Sequence, residues 1–228
     1  MKNHKNSSST KFVFFIIGLV AIAIIGFIFL ANQSKSDTKS KEEIDYTGQP
    51  YLGSETAPVS IIEFGDYKCP NCKNFAENVI PTIQQELVDT GKAKLYFLND
   101  SFINTDSIRS AKFAESVFQV LGNKTFWEFH DLLYKKQPED SKYEKMDIYN
   151  EKFLTDTLKE VASESDVNKV LENFQAKKSD HAWQKDMDLA GKLGVTGTPT
   201  LFVDGKLFEG KSLDDLTEMV DKATKAKE

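Results

Sequence analysis

Ile61-Ile-Glu-Phe-Gly-Asp-Tyr-Lys-Cys-Pro-Asn-Cys72 is the segment around which this 228-residue chain is organised. Val59 to Phe64 is short, apolar and β-branched after Pro58, the pattern of a buried strand. It leads into Cys69-Pro-Asn-Cys72. Lys73 to Val88 then continues in helical register, with Pro81 marking a kink. Ala93-Lys-Leu-Tyr-Phe-Leu98 is a second strand. Strand, helix and strand in so short a stretch read as a βαβ unit with a parallel pair.

Downstream, the strand signal fades and helical periodicity takes over. Ile108, Ala111, Ala114, Val117 and Leu121 form one apolar stripe, and Phe126, Phe129 and Leu133 another. Leu154, Leu158 and Val161 follow, then Val167, Val170 and Phe174, then Trp183, Met187, Ala190 and Leu193. This predicts a helical insertion over about 103–194. The chain then returns to strand. Thr200-Leu-Phe-Val203 and Lys206-Leu-Phe208 flank Asp204-Gly205, a hairpin signal. Ser212 with Asp215 resembles a capping box opening a last helix through Leu213, Leu216 and Val220. The order β-α-β, helical insertion, β-β-α defines an α/β fold.

Upstream, Lys2, Lys5 and Lys11 precede Phe12 to Leu30, nineteen apolar or glycine residues without a charge. A bilayer core needs about 20 such residues, so the run reads as a membrane span. A cleaved signal peptide is the rival reading, but Phe29-Leu30-Ala31 is a poor cleavage site. The chain is therefore divided into a cytoplasmic N-terminus (1–11), a transmembrane anchor (12–31), a polar flexible tether (32–45) and an outer domain (46–228). The lysines before the span place the outer domain outside the cytoplasm, at the membrane, where disulfides persist.

Composition narrows the functions. With 40% apolar residues, 12 Gly and 6 Pro, the chain is neither collagen-like nor disordered. The outer domain carries 23 Lys+Arg against 31 Asp+Glu, so nucleic acid is not an expected partner. Two cysteines are too few for a disulfide-dense scaffold or a Cys₄ zinc site.

The cysteine pair is the centre of the chemistry. Cys69 falls at a helix N-terminus, where unpaired N–H groups and the helix dipole stabilise a thiolate. Pro70 suits the first helical turn, and Cys72, one turn on, points inward. A purely structural disulfide is the weaker alternative, because so short a loop constrains little chain. A metal site drawing on Cys69, Cys72, His130 and His181 is another, although the two histidines lie far apart in sequence. Glu63 sits among Ile61, Ile62 and Phe64. If buried, its pKa rises and it can relay a proton from Cys72. If strand alternation turns it outward, it is only a solvated acid. In Val195-Thr-Gly-Thr-Pro-Thr200, Pro199 either starts an edge strand or follows a cis bond. No Asp-x-Asp-x-Asp-Gly calcium loop is present.

Together the segment 61–72, a helical insertion and Gly194-Val-Thr-Gly-Thr-Pro-Thr-Leu-Phe-Val203 resemble the DsbA-like branch of the thioredoxin superfamily, over about 50–225. With its N-terminal span the chain resembles the membrane-anchored members of Gram-positive bacteria. The resemblance implies a thioredoxin-like fold and a thiol:disulfide oxidoreductase that introduces disulfides into secreted or surface proteins. Cys69 would be the nucleophile and Cys72 the buried resolving cysteine. Pro199 would be the cis proline facing them, Thr198 would offer backbone hydrogen bonds to bound peptide, and Glu63 would be the buried acid. It implies no cofactor beyond the Cys69–Cys72 disulfide. The implied partners are reduced or unfolded secreted proteins and a quinone-linked membrane protein of the DsbB type. The pair encloses Pro-Asn rather than Pro-His, so Asn71 adds no positive charge. A reductase or isomerase on the same fold, and a metal-binding module using the two thiols, are the alternatives.

Overall fold

The computed structural model describes residues 44–227. The expected cytoplasmic segment, the anchor and all but the end of the tether lie outside the described residues. Among the described residues no helix is long and apolar enough to cross a membrane.

Five strands form one sheet: β1 (Tyr51–Leu52), β2 (Val59–Gly65), β3 (Ala93–Asn99), β4 (Thr200–Val203) and β5 (Lys206–Leu207). Their spatial order is β1-β3-β2-β4-β5. Only β2 and β3 are parallel; the other pairs are antiparallel. The βαβ unit read from the sequence is this parallel pair. β2 is central and every residue in it is buried, so its apolar run is unbroken rather than alternating. β1, two residues long, was not visible in the sequence.

Helix α1 (Pro70–Asn78) starts immediately after Cys69. The chain breaks at Val79, then makes a short turn of helix, α2 (Ile80–Ile83), and a wide turn over Gln84–Val88. The kink expected at Pro81 thus falls two residues earlier. Proline has no N–H to return to residue 77, and its ring would press on that carbonyl.

Between β3 and β4 lie α3 (Thr105–Lys135), a 3₁₀ turn (Ser141–Lys145), α4 (Glu151–Leu158), α5 (Glu164–Gln175) and α6 (Asp180–Leu193). The first two apolar stripes are the two arms of α3, which kinks at Gly122. Gly122 has φ +78°, a conformation side-chain-bearing residues resist. Asp204 (φ 46°) and Gly205 (φ 75°) make the β4–β5 turn. Ser212 caps α7 (Leu213–Lys225): its hydroxyl accepts from the Asp215 amide at 3.1 Å, and Asp215 accepts from the Ser212 amide at 3.0 Å.

Two apolar cores result. One joins the insertion to the cysteine helix through Tyr67, Cys72, Phe97, Phe113, Phe126, Phe129 and Leu133. The other joins α2 and α7 to the sheet through Ile61, Ile83, Leu87, Leu95, Val203 and Val220. At Gly65, the end of β2, a Cβ would lie 2.5 Å from the Phe97 ring and 3.2 Å from the Tyr134 hydroxyl oxygen. Both side chains are fully buried and cannot retreat into solvent. Gly65→Ala is expected to destabilise the fold by about 1–3 kcal/mol, measured by denaturant unfolding.

Candidate active site

The end of β2 and the start of α1 are joined by a turn in which the Cys69 amide donates to the Asp66 carbonyl at 3.0 Å. Cys69 is the N-cap residue of α1, and Pro70 occupies its first turn. Both cysteines are free thiols. Cys72 is wholly buried and Cys69 is 6% exposed. The Cys69 thiol donates to the Thr198 carbonyl at 3.3 Å. The Thr198–Pro199 peptide bond is cis. Segments separated by the whole insertion therefore meet at Cys69.

The two thiols have opposite electrostatics. The Cys72 thiol donating to it brings Cys69 down to about 6 against burial, and the Thr198 side chain and the amides of Cys72 and Asn71 add to this. Burial, its hydrogen bond to Cys69 and the charge of Glu63 push Cys72 upward. One sulfur is set to be the thiolate and the other to hold a proton.

Glu63 is fully buried, between Phe97 on β3 and Leu201 on β4. Neither carboxyl oxygen has a hydrogen-bond partner among the described residues. Burial, and then the charge of Cys69, raise its pKa to about 8. β2 is covered on both faces, so no solvent-facing side was open to it.

His130 is fully buried against Tyr67, its Nδ1 3.1 Å from the Tyr67 hydroxyl. Burial lowers its pKa to about 3. His181 is exposed on α6. Among the described residues no group of three or more His, Cys, Asp and Glu side chains is placed to hold a metal ion, so the Cys–His set does not assemble. Elsewhere two buried acids gather around Asn99 and Gln49. Asp186 accepts from the Asn99 amide at 2.9 Å, from the Asn99 side chain at 3.0 Å and from Gln49 at 2.6 Å. Glu115 accepts from Asn99 at 2.8 Å. Burial and neighbouring Asp186 push Glu115 well above the usual carboxylate range, and burial raises Asp186 to about 6. Two carboxyl groups held this close in a dry interior share a proton rather than both ionise.

Sequence reasoning missed the charged residues around the cysteines. Asp66 accepts from the amides of Lys68 (2.8 Å), Phe102 (3.0 Å) and Ile103 (3.2 Å). Lys68, 2% exposed, forms an ion pair of 3.0 Å with fully buried Asp106. Their one signal was two charges crowded into the three residues before Cys69.

A family model described as Thioredoxin matches residues 45–222. A probable disulfide bond formation protein D from Bacillus anthracis is 31% identical, over 97% of this chain and 99% of its own. The chain belongs to the DsbA-like thioredoxin family. Members of this family are thiol:disulfide oxidoreductases, and this chain is one of them. The disulfide bond formation protein D of Bacillus subtilis is 34% identical over 79% of each chain. The crystal structure of oxidised BdbD from Bacillus subtilis aligns with a TM-score of 0.72 at 32% identity, covering 80% of this chain and 96% of that one. Chlamydia trachomatis DsbA, at 19% identity and TM-score 0.67 over 83% of this chain and 97% of that one, shares the fold.

The raised pKa of Glu63 has a direct thermodynamic consequence. Between about pH 5 and 8 the unfolded chain has this carboxyl ionised while the folded chain keeps it protonated. The folded state binds the extra proton, so this group's contribution to stability falls as pH rises through the window. Glu63→Gln should remove a slope of about 1.4 kcal/mol per pH unit. Unfolding of the reduced protein and the variant from pH 5 to 8 reads it. Parallel profiles would show that Glu63 titrates normally.

Proposed function

We propose that this chain is an extracytoplasmic protein-disulfide oxidase working at Cys69-Pro-Asn-Cys72. The observation that carries the reading is the asymmetry of the pair: Cys69 is lowered to about 6 at a helix start, and Cys72 is raised and buried. In the disulfide form, a thiolate of a reduced secreted protein attacks Cys69. The Cys69–Cys72 bond breaks and a mixed disulfide forms. Cys72 leaves as a thiolate with a strong demand for a proton, and Glu63, protonated near neutrality, is the adjacent donor. A second substrate thiolate attacks the substrate sulfur of the mixed disulfide. Cys69 departs as a stabilised thiolate, and oxidised substrate is released. The two electrons end on the enzyme dithiol, and a quinone-linked DsbB-type membrane protein removes them. No cofactor beyond the disulfide is required.

Thr198 and Pro199 form the wall against which the substrate strand lies. Proline offers no N–H, so at this position the wall presents carbonyl oxygen and ring to an incoming chain. The anchor at 12–31 and the tether at 32–45 keep the domain at the outer face of the membrane, close to its oxidant.

Cys69→Ala should reduce oxidation of a reduced, disulfide-containing secreted protein at least a hundredfold. Cys72→Ala should accumulate mixed disulfides visible on non-reducing gels, because the thiolate that clears them is gone. Full activity in both variants contradicts the mechanism. For the topology, protease added to intact protoplasts should digest residues 46–228; a shortened protein in the medium beginning near Ala31 would contradict the anchor.

A further inference from the structure

The loop Gln137–Tyr149, which links α3 to α4, is fastened to the cysteine turn at several points. Gln137 donates through its side chain to the Tyr67 carbonyl at 3.0 Å. Lys73, next to Cys72, donates to the Gln137 carbonyl at 2.8 Å and pairs with Glu139 at 2.7 Å. Lys68, next to Cys69, donates to the carbonyls of Tyr143 at 2.6 Å and Met146 at 2.8 Å. Its third ammonium proton faces Asp106 at 3.0 Å, and the Tyr149 ring covers it at 4.7 Å. An ammonium has three donors, and all three are used. Asp106 in turn accepts from the amides of Ile148 at 2.8 Å and Tyr149 at 3.1 Å.

Stability alone does not account for this arrangement. Exchanging a buried ion pair for apolar groups of similar volume is often neutral or stabilising, because desolvation offsets the attraction. What a buried pair does well is select one geometry. Arginine could not replace this lysine: a planar guanidinium does not match two carbonyls and a carboxylate arranged around a point. The geometry selected here is that of the residue bonded to Cys69.

We propose that Lys68 is a positioning residue for the redox centre: it clamps the turn before Cys69 onto the insertion and so holds the Cys69 sulfur against the first amides of α1. The proposal rests on the oxidoreductase reading. With the clamp in place the turn has one conformation, and the Asn71 and Cys72 amides stay directed at the sulfur. Without it, the turn samples others in which the thiolate loses those donors. Asp66 supports the same turn from the other side through the Phe102 and Ile103 amides.

The test uses the full chain in its reduced form. Lys68→Met alone strands a buried carboxylate, so the informative variant is Lys68→Met with Asp106→Asn, which removes both charges and keeps an oxygen for Ile148 and Tyr149. Thiolate absorbance of Cys69 is titrated beside thermal unfolding. The clamp predicts a thiolate fraction at pH 6 at least threefold below that of the parent, with a melting temperature within a few degrees of it. A superimposable titration overturns the proposal, whatever the melting temperature does. Should the double variant not fold, hydrogen exchange in the parent decides: the amides of Cys69, Phe102, Ile148 and Tyr149 should open at one common rate, and independent rates overturn it. Disulfide exchange of the parent with a reduced substrate is run in parallel, so failure of the oxidoreductase reading shows there and not in the titration.

Discussion

The unpaired amides at the start of α1 are the feature on which the site depends. A helix exposes its first N–H groups by construction, and a sulfur placed at the N-cap meets them without any further device. Cys69 occupies that place because β2 ends at Gly65 and a turn closed by the Asp66 carbonyl carries the chain straight into Pro70. The Thr198 carbonyl, 3.3 Å from the sulfur, accepts a hydrogen bond from the reduced thiol. The cysteine helix, the central strand and the segment before β4 are thus all needed to define one atom's surroundings. The long insertion covers the face behind Cys72 and leaves that second sulfur without water.

Much of this was legible in the sequence because it depends on local rules. An unbroken apolar run reads as a central strand, Asp204-Gly205 as a hairpin turn and Ser212 with Asp215 as a cap. The two stripes on either side of Gly122 were visible, but that they belong to one kinked helix was not, since a glycine reads equally well as a helix end. The segments carrying Cys69 and Pro199 were both recognisable, and the fold places the Thr198 carbonyl, 129 positions further along the chain, against Cys69. Glu63 was ambiguous for a physical reason. Alternation distinguishes faces only when one face is wet, and neither face of β2 is.

What stayed hidden were polar groups that owe their environment to tertiary contacts. Lys68, Asp66 and Asp106 look like ordinary loop and helix-start charges, and nothing local says that they are buried together. Gln49, Asn99, Glu115 and Asp186 are drawn from the chain before β1, the end of β3, α3 and α6, and the Gln49–Asp186 bond alone spans 137 positions. Buried polar groups of this kind are costly unless satisfied, so each reports a constraint stronger than general packing. One set surrounds the turn that carries Cys69. The other joins the end of β3 to two helices of the insertion.

The central claim is that stabilising the Cys69 thiolate makes the reduced enzyme the favoured partner, so that its disulfide drives oxidation of others. Asn71 withholds the extra positive charge that a histidine would add, which tempers the effect without reversing it. The most direct test is the reduction potential of the Cys69–Cys72 couple, obtained by equilibrating the purified protein against glutathione buffers. The account predicts a potential clearly above that of thioredoxin, roughly −270 mV. A potential at or below that value would contradict it, and would make this chain a reductant built on the same fold.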